Sequence, residues 1–142
     1  MKRRYGLPWS GDVKGAGMES EPNFLGLFSR EKSAIALKAG ESLFKKGDPP
    51  QSTMYVVLSG EVRIGQGNVI LETVAAGGIV GEMALIDGSP RSATVTASTD
   101  ATLAAIDEKR FLFLVHQTPG FALNVMRLLV GRLRKTTALV GI

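Results

Sequence analysis

The chain has 142 residues, enough for one domain with a core of ordinary size, and with 44% apolar and 21% charged residues its composition is globular rather than disordered. Cysteine is absent and histidine occurs once, as His116, which excludes disulfide scaffolds, thiolate chemistry and histidine-rich metal sites. The net charge of +4 is unevenly spread: positions 1–17 carry four basic residues and one acidic, 18–120 nine and twelve, and 121–142 four and none. The body is slightly acidic between basic ends, so direct nucleic-acid binding is not expected.

Positions 1–20 read as a flexible extension. Gly6, Gly11, Gly15 and Gly17 punctuate the stretch, apolar periodicity is lacking, and Lys2-Arg3-Arg4 reads as a solvated tail. The basic start has no apolar stretch behind it, so it is not a secretory signal, and no apolar run reaches the length of a membrane span. A cytoplasmic location is the default expectation. A single domain is expected over 21–142, with strands over about 33–106 and helices over about 108–138. Phe24, Leu25, Leu27 and Phe28 suit one or two helical turns.

From Ser33 short apolar runs are cut by turn signals about every ten residues. Ala34–Leu37 ends at Gly40, Ser42–Phe44 at Gly47-Asp48-Pro49-Pro50, and Met54–Leu58 at Ser59-Gly60. Glu61–Ile64, Val69–Val74, Ala93–Ala97 and Ala101–Ile106 follow. Seven or eight strands at this spacing predict a mainly β fold with flanking helices, an antiparallel sandwich, barrel or jelly roll.

Asp107 before Glu108-Lys109-Arg110 marks a helix start. Pro119 suits the first turn of a second helix running to about Thr137. Ala122, Val125, Met126, Leu129 and Leu133 recur there at helical spacing, with Phe121, Leu123, Leu128 and Val130 on the other sides. One face can cover the strands while another is left over, which makes a homodimer through this helix plausible.

The segment richest in chemistry is Gly81–Val95, GEMALIDGSPRSATV. Gly81 lets a ligand approach the backbone. The N–H groups opening the helix-like segment Glu82–Ile86 can receive an anion, and Arg91 returns with a two-pronged donor for phosphate. Ala93 leaves room. Glu82 beside an anion is repulsive unless it accepts a hydrogen bond from the ligand, a condition that a sugar hydroxyl meets. The segment therefore asks for one phosphate next to one ribose hydroxyl. Other roles stay open: Arg91 as a structural arginine paired with Asp87, and Glu82 as a helix-start acid. Met83, Leu85 and Ile86 are expected in the core, and His116 at the surface.

GEMALIDGSPRSATV resembles the phosphate-binding cassette of the cyclic-nucleotide-binding domain family. That family includes the regulatory subunits of protein kinase A, cyclic-nucleotide-gated channels and bacterial catabolite-activator-type regulators. The resemblance extends over KAGESLFKKGD, MYVVLSGEVRI, the cassette and the two C-terminal helices, from about Phe24 to Thr137. It implies a double-stranded β-helix that binds cAMP or cGMP, without metal, cofactor or catalysis. Glu82 resembles the glutamate that accepts the ribose 2′-hydroxyl, and Arg91 the arginine that pairs with the cyclic phosphate. Gly81, Met83 and Ala84 would offer backbone contacts. Ser92 stands where a hydroxyl can reach the phosphate or a guanine. Val80 departs from the aromatic residue found there in many members, making that wall of the base pocket smaller.

In the last helix, Thr136 and Thr137 fall where catabolite-activator-type proteins set hydroxyls against the adenine amino group, one of them from the dimer partner. The alternative is two threonines marking a fraying helix end. The expected function is a regulatory sensor for a cyclic purine nucleotide, cAMP before cGMP, whose ligand repositions the C-terminal helices. The alternative is a fragment or relative of a catabolite-activator-type transcription regulator, since Ile142 comes only a few residues past the long helix, where such proteins carry a helix-turn-helix. A cyclic dinucleotide stays open as ligand, and the sequence does not name a downstream target. A cupin-like enzyme is opposed by the single histidine, and a degenerate, protein-only binder by the presence of both Glu82 and Arg91.

Overall fold

In a computed structural model, the structure describes residues 22–28 and 30–139, the last four by backbone alone. The extension read over 1–20 lies outside these residues. Phe24–Phe111 forms one compact unit, and the helical chain from Leu112 belongs to another.

The first unit holds eight antiparallel strands in two four-stranded sheets. Strands β1 (Ile35–Leu37), β8 (Ala101–Asp107), β3 (Thr53–Ser59) and β6 (Ile79–Val80) lie in the order β1-β8-β3-β6. Strands β2 (Ser42–Phe44), β7 (Thr94–Ala97), β4 (Glu61–Gln66) and β5 (Val69–Ala75) form the other, ordered β2-β7-β4-β5. The sheets do not close into a continuous barrel, but the predicted fold class is present: a jelly-roll sandwich with flanking helices. Each predicted apolar run became a strand with ends within two residues. The two-residue β6 has no counterpart among the predicted runs.

The sandwich core is built from the inward side chains of both sheets. Tyr55, Val57 and Leu103 from one meet Val62, Val74 and Val95 from the other, each removing apolar surface worth about 1.5–3 kcal/mol. Strand β3 is buried on both faces from Met54 to Val57, because its outer face is covered by a 3-10 turn at Leu25–Phe28 and by helix α1 (Glu82–Asp87). This cover is what the sequence announced as Phe24 and Phe28, which are 0% and 4% exposed.

The β4–β5 hairpin lies at the edge of its sheet. Gln66 faces Val69 across its turn, and Val69, Ile70 and Leu71 are all exposed, because β5 is an edge strand. After β8, Asp107 caps helix α2 (Glu108–Gln117), its carboxylate accepting the Arg110 N–H at 2.8 Å. Arg110 also reaches back to Glu31 at 2.6 Å, over the Phe28 ring and onto the Ala105 carbonyl. The hydrogen bond from Arg110 holds the Glu31 carboxyl below its ordinary pKa.

In the second unit, α3 (Phe121–Leu139) starts two residues after Pro119, so the proline precedes the helix rather than entering its first turn. Its buried residues are Phe121, Asn124, Val125 and Leu128, while Leu123, Met126, Val130 and Leu133 are exposed. The stripe read from the sequence is therefore split: Val125 is buried, Ala122 and Leu129 are half-buried, and Met126 and Leu133 are exposed. Apolar residues nearly encircle α3 up to Val130, so periodicity alone could not choose the buried side. His116 is exposed, as expected. Among the described residues, no helix is long and apolar enough to cross a membrane.

Candidate functional site

The site lies where β6 ends and turns into α1. Val80 is fully buried, paired with Tyr55 of β3. Gly81 follows with φ +79°, a conformation L side chains resist, and it opens α1 without a side-chain cap. A Cβ at this position would stand 2.9 Å from Arg91 Nη1 and 3.2 Å from Phe44 Cε2. Glycine is thus required both by the turn and by what packs against it. At the far end of α1 Gly88 donates to the Ala84 carbonyl, and the Asp87 carboxylate accepts from the Ser89 N–H and hydroxyl. These bonds hold the Asp87 pKa below its ordinary value. Asp87 thereby serves the turn, and the alternative of an Arg91–Asp87 pair finds no support.

Arg91 arrives from the irregular segment before β7 rather than from the strand itself. The β2–β3 loop grips it on both sides: its N–H donates to the Asp48 carbonyl at 2.9 Å, and its carbonyl accepts from Gly47 at 2.8 Å. Its side chain turns inward and is 4% exposed. Nη1 donates to the Gly81 carbonyl at 3.2 Å, and the guanidinium lies 4.0 Å from the centroid of the Phe44 ring. The Tyr55 ring stands further off, at 5.9 Å. Burial pushes the Arg91 pKa down, and the acidic groups of Tyr55, Asp48 and Glu82 oppose that shift. An arginine nonetheless stays charged near neutrality.

Glu82, 4% exposed, belongs to the same buried set. Ala84 and Ala93 are buried and small, and the Ser92 hydroxyl points to the Met83 sulfur at 3.9 Å. The Ser92 carbonyl takes the side-chain amide of Gln66 at 3.0 Å, tying the β4–β5 hairpin to the cassette. The structure thus brings Val80, Gly81, Glu82, Met83, Ala84, Arg91, Ser92 and Ala93 into one neighbourhood. Two expectations need correction: Met83 and Ile86 are 48% and 50% exposed rather than core, because α1 is only six residues long and buries Glu82, Ala84 and Leu85 instead. Thr136 and Thr137 lie on α3, and their side chains fall outside the described residues.

Sequence reasoning missed Phe44, Tyr55 and Gln66. The pairing of Phe44 with Val95, across a register irregularity in β2, carries Phe44 to Arg91, and no local pattern reports such a contact. Among the described residues there is no cluster of His, Cys, Asp or Glu able to hold a metal.

A buried guanidinium is thus hydrogen-bonded to a glycine turn, and a buried carboxylate follows that glycine in the chain. The family model described as "Cyclic nucleotide-binding domain" matches residues 34–118, and the chain belongs to that family. It is 34% identical over 131 residues to the cyclic AMP receptor protein of Thermus thermophilus, covering 83% of this chain and 60% of that one. It is 32% identical over 100 residues to a cAMP-dependent protein kinase regulatory subunit of Colletotrichum orbiculare, covering 66% and 25%. A solved cyclic nucleotide-binding domain from Methylobacillus flagellatus matches at TM-score 0.64 with 28% identity, over 75% of this chain and 65% of that one. The chain therefore spans less than two thirds of the curated relatives it matches.

Proposed function

We propose that this chain is a regulatory sensor that binds a cyclic purine nucleotide, cAMP in preference to cGMP, and that the ligand repositions its C-terminal helices. The observation that carries this reading is the buried Arg91 guanidinium, joined to Gly81 and set beside Glu82. A cyclic phosphodiester carries one negative charge and no exchangeable proton, so it is a natural partner for a permanent cation. Glu82 accepts the ribose 2′-hydroxyl, which a carboxylate does and a neutral donor does not. Backbone groups of Gly81, Met83 and Ala84 face the ribose phosphate, while Ser92, Ala93 and Val80 border it. The names of the relatives support cAMP as the ligand, and one of them supports a regulatory role. Regulation in the cytoplasm rather than catalysis is part of this proposal.

The base is read by Thr136 and Thr137. A ligand shifts a helix equilibrium only through unequal affinity for its two positions, so these contacts form in one position of α3 and not the other. A second copy of the chain is the partner proposed for α3. Leu123, Met126, Val130 and Leu133 follow one another by three, four and three residues, all exposed, which is the seam spacing of a two-stranded coiled coil. The likeness to the cyclic AMP receptor protein favours one alternative: part of a catabolite-activator-type transcription regulator.

The test is calorimetric titration with cAMP, cGMP and cyclic di-GMP side by side. Tightest binding of cAMP supports the proposal; equal or absent binding of all three removes it. Replacing Thr136 and Thr137 by valine narrows the gap between cAMP and cGMP by about tenfold, roughly the weight of one or two hydrogen bonds. An unchanged gap removes the base-reading role.

A further inference from the structure

We infer that Phe44 is a positioning residue for Arg91: the face of its ring, and not merely its bulk, holds the guanidinium ready for the phosphate. The inference rests on the cyclic-nucleotide reading of the same site. Arg91 presents a planar cation 4.0 Å from the Phe44 centroid, while its Nη1 is taken by the Gly81 carbonyl. On the Gly81 side there is no space for even a methyl group, since a Cβ would crowd both Nη1 and the Phe44 ring. Ring, guanidinium and glycine backbone are therefore in mutual contact. Tyr55 backs the arrangement, its ring 6.2 Å from that of Phe44.

The chemistry explains why a ring suits this position. A buried cation needs compensation for lost water. A carboxylate in contact with it would supply that compensation but occupy the N–H donors that the ligand requires. An aromatic face attracts the cation through its quadrupole and uses none of the five donors. Phe44 thus stabilises the charge without engaging any further donor beyond the Nη1 bond to Gly81, so the guanidinium can still donate to a phosphate. Leucine fills similar space but has no such face.

The experiment titrates cAMP into the unaltered protein and into Phe44→Leu, Phe44→Met and Phe44→Tyr, each also in the Arg91→Ala background. Circular dichroism checks folding, and the methionine variant serves if the leucine variant does not fold. Loss of the ring is expected to weaken binding about 3- to 30-fold, the weight of one desolvated cation–π contact. Tyrosine, which keeps the face, is expected to restore most of it. In the Arg91→Ala background Phe44→Leu is expected to add no further loss, a coupling that a merely structural role does not produce. Equal affinity of Phe44→Leu and the unaltered protein overturns the role of the ring alone, as does an undiminished loss without Arg91. Failure of the unaltered protein to bind any cyclic nucleotide overturns the proposed function, and this role with it.

Discussion

The cassette and the last helix depart from ordinary burial in opposite senses. Between Gly81 and Arg91 the chain takes a carboxylate and a guanidinium out of water. Along α3 it leaves Leu123, Met126, Val130 and Leu133 in water. Charged residues are rarely fully buried and a continuous apolar row is rarely left exposed, so each departure is informative where a scattered exposed leucine is not. The first points to a small charged ligand, the second to a broad apolar partner.

The contrast is most easily broken at Arg91. Arg91→Ala is expected to weaken cyclic-nucleotide binding by about 2–5 kcal/mol, because a desolvated phosphate loses its charge partner. The melting temperature of the variant should move far less, since burial of the guanidinium is itself disfavoured by desolvation. Calorimetry and thermal melts on the same variant separate the two effects, and equal affinity removes Arg91 from the site.

On the helix, Val130→Asp is expected to destabilise a dimer by about 2 kcal/mol or more, by placing a charge in an apolar seam. Sedimentation velocity over a concentration series reads this as a shift to monomer. A sedimentation profile unchanged by the substitution rejects the seam. Glu82→Ala is expected to cost about 1.5–3 kcal/mol in affinity for cAMP, the weight of a hydrogen bond to a charged group. The same variant should no longer distinguish cAMP from its 2′-deoxy analogue; persistent discrimination places the ribose elsewhere.

The smallest expected effect lies outside both regions, at the Glu31–Arg110 pair. The folded-state pKa of Glu31 is depressed, so the pair's contribution is fully present above the unfolded carboxyl value near 4.3 and is lost as pH falls through the folded value. With Arg110 partly exposed, the contribution is below about 1 kcal/mol. Melts of the protein and of Glu31→Gln should differ at pH 7 and converge in acid. A difference that grows in acid contradicts the pairing.

Much of the sandwich was legible because its strands are short apolar runs ended by Gly, Asp and Pro, and local grammar suffices for such elements. The cassette was legible because Gly81, Glu82 and Arg91 stand close in sequence and their chemistry converges on one ligand type. Phe44 was not legible, since it reaches Arg91 only through the pairing of β2 with β7. The orientation of α3 was not legible either, because apolar residues on nearly every side give several phases equal weight. Met83 and Ile86 misled for a related reason: an apolar residue in a very short helix carries no signal of which side it faces.

The double grip of the β2–β3 loop on Arg91 joins parts of the chain more than forty positions apart. The surroundings of Arg91 are therefore complete only once both segments have come together, a contact of long sequence separation. Occupancy by a messenger should consequently be felt as increased resistance of the whole sandwich to unfolding, rather than as the tightening of a single turn.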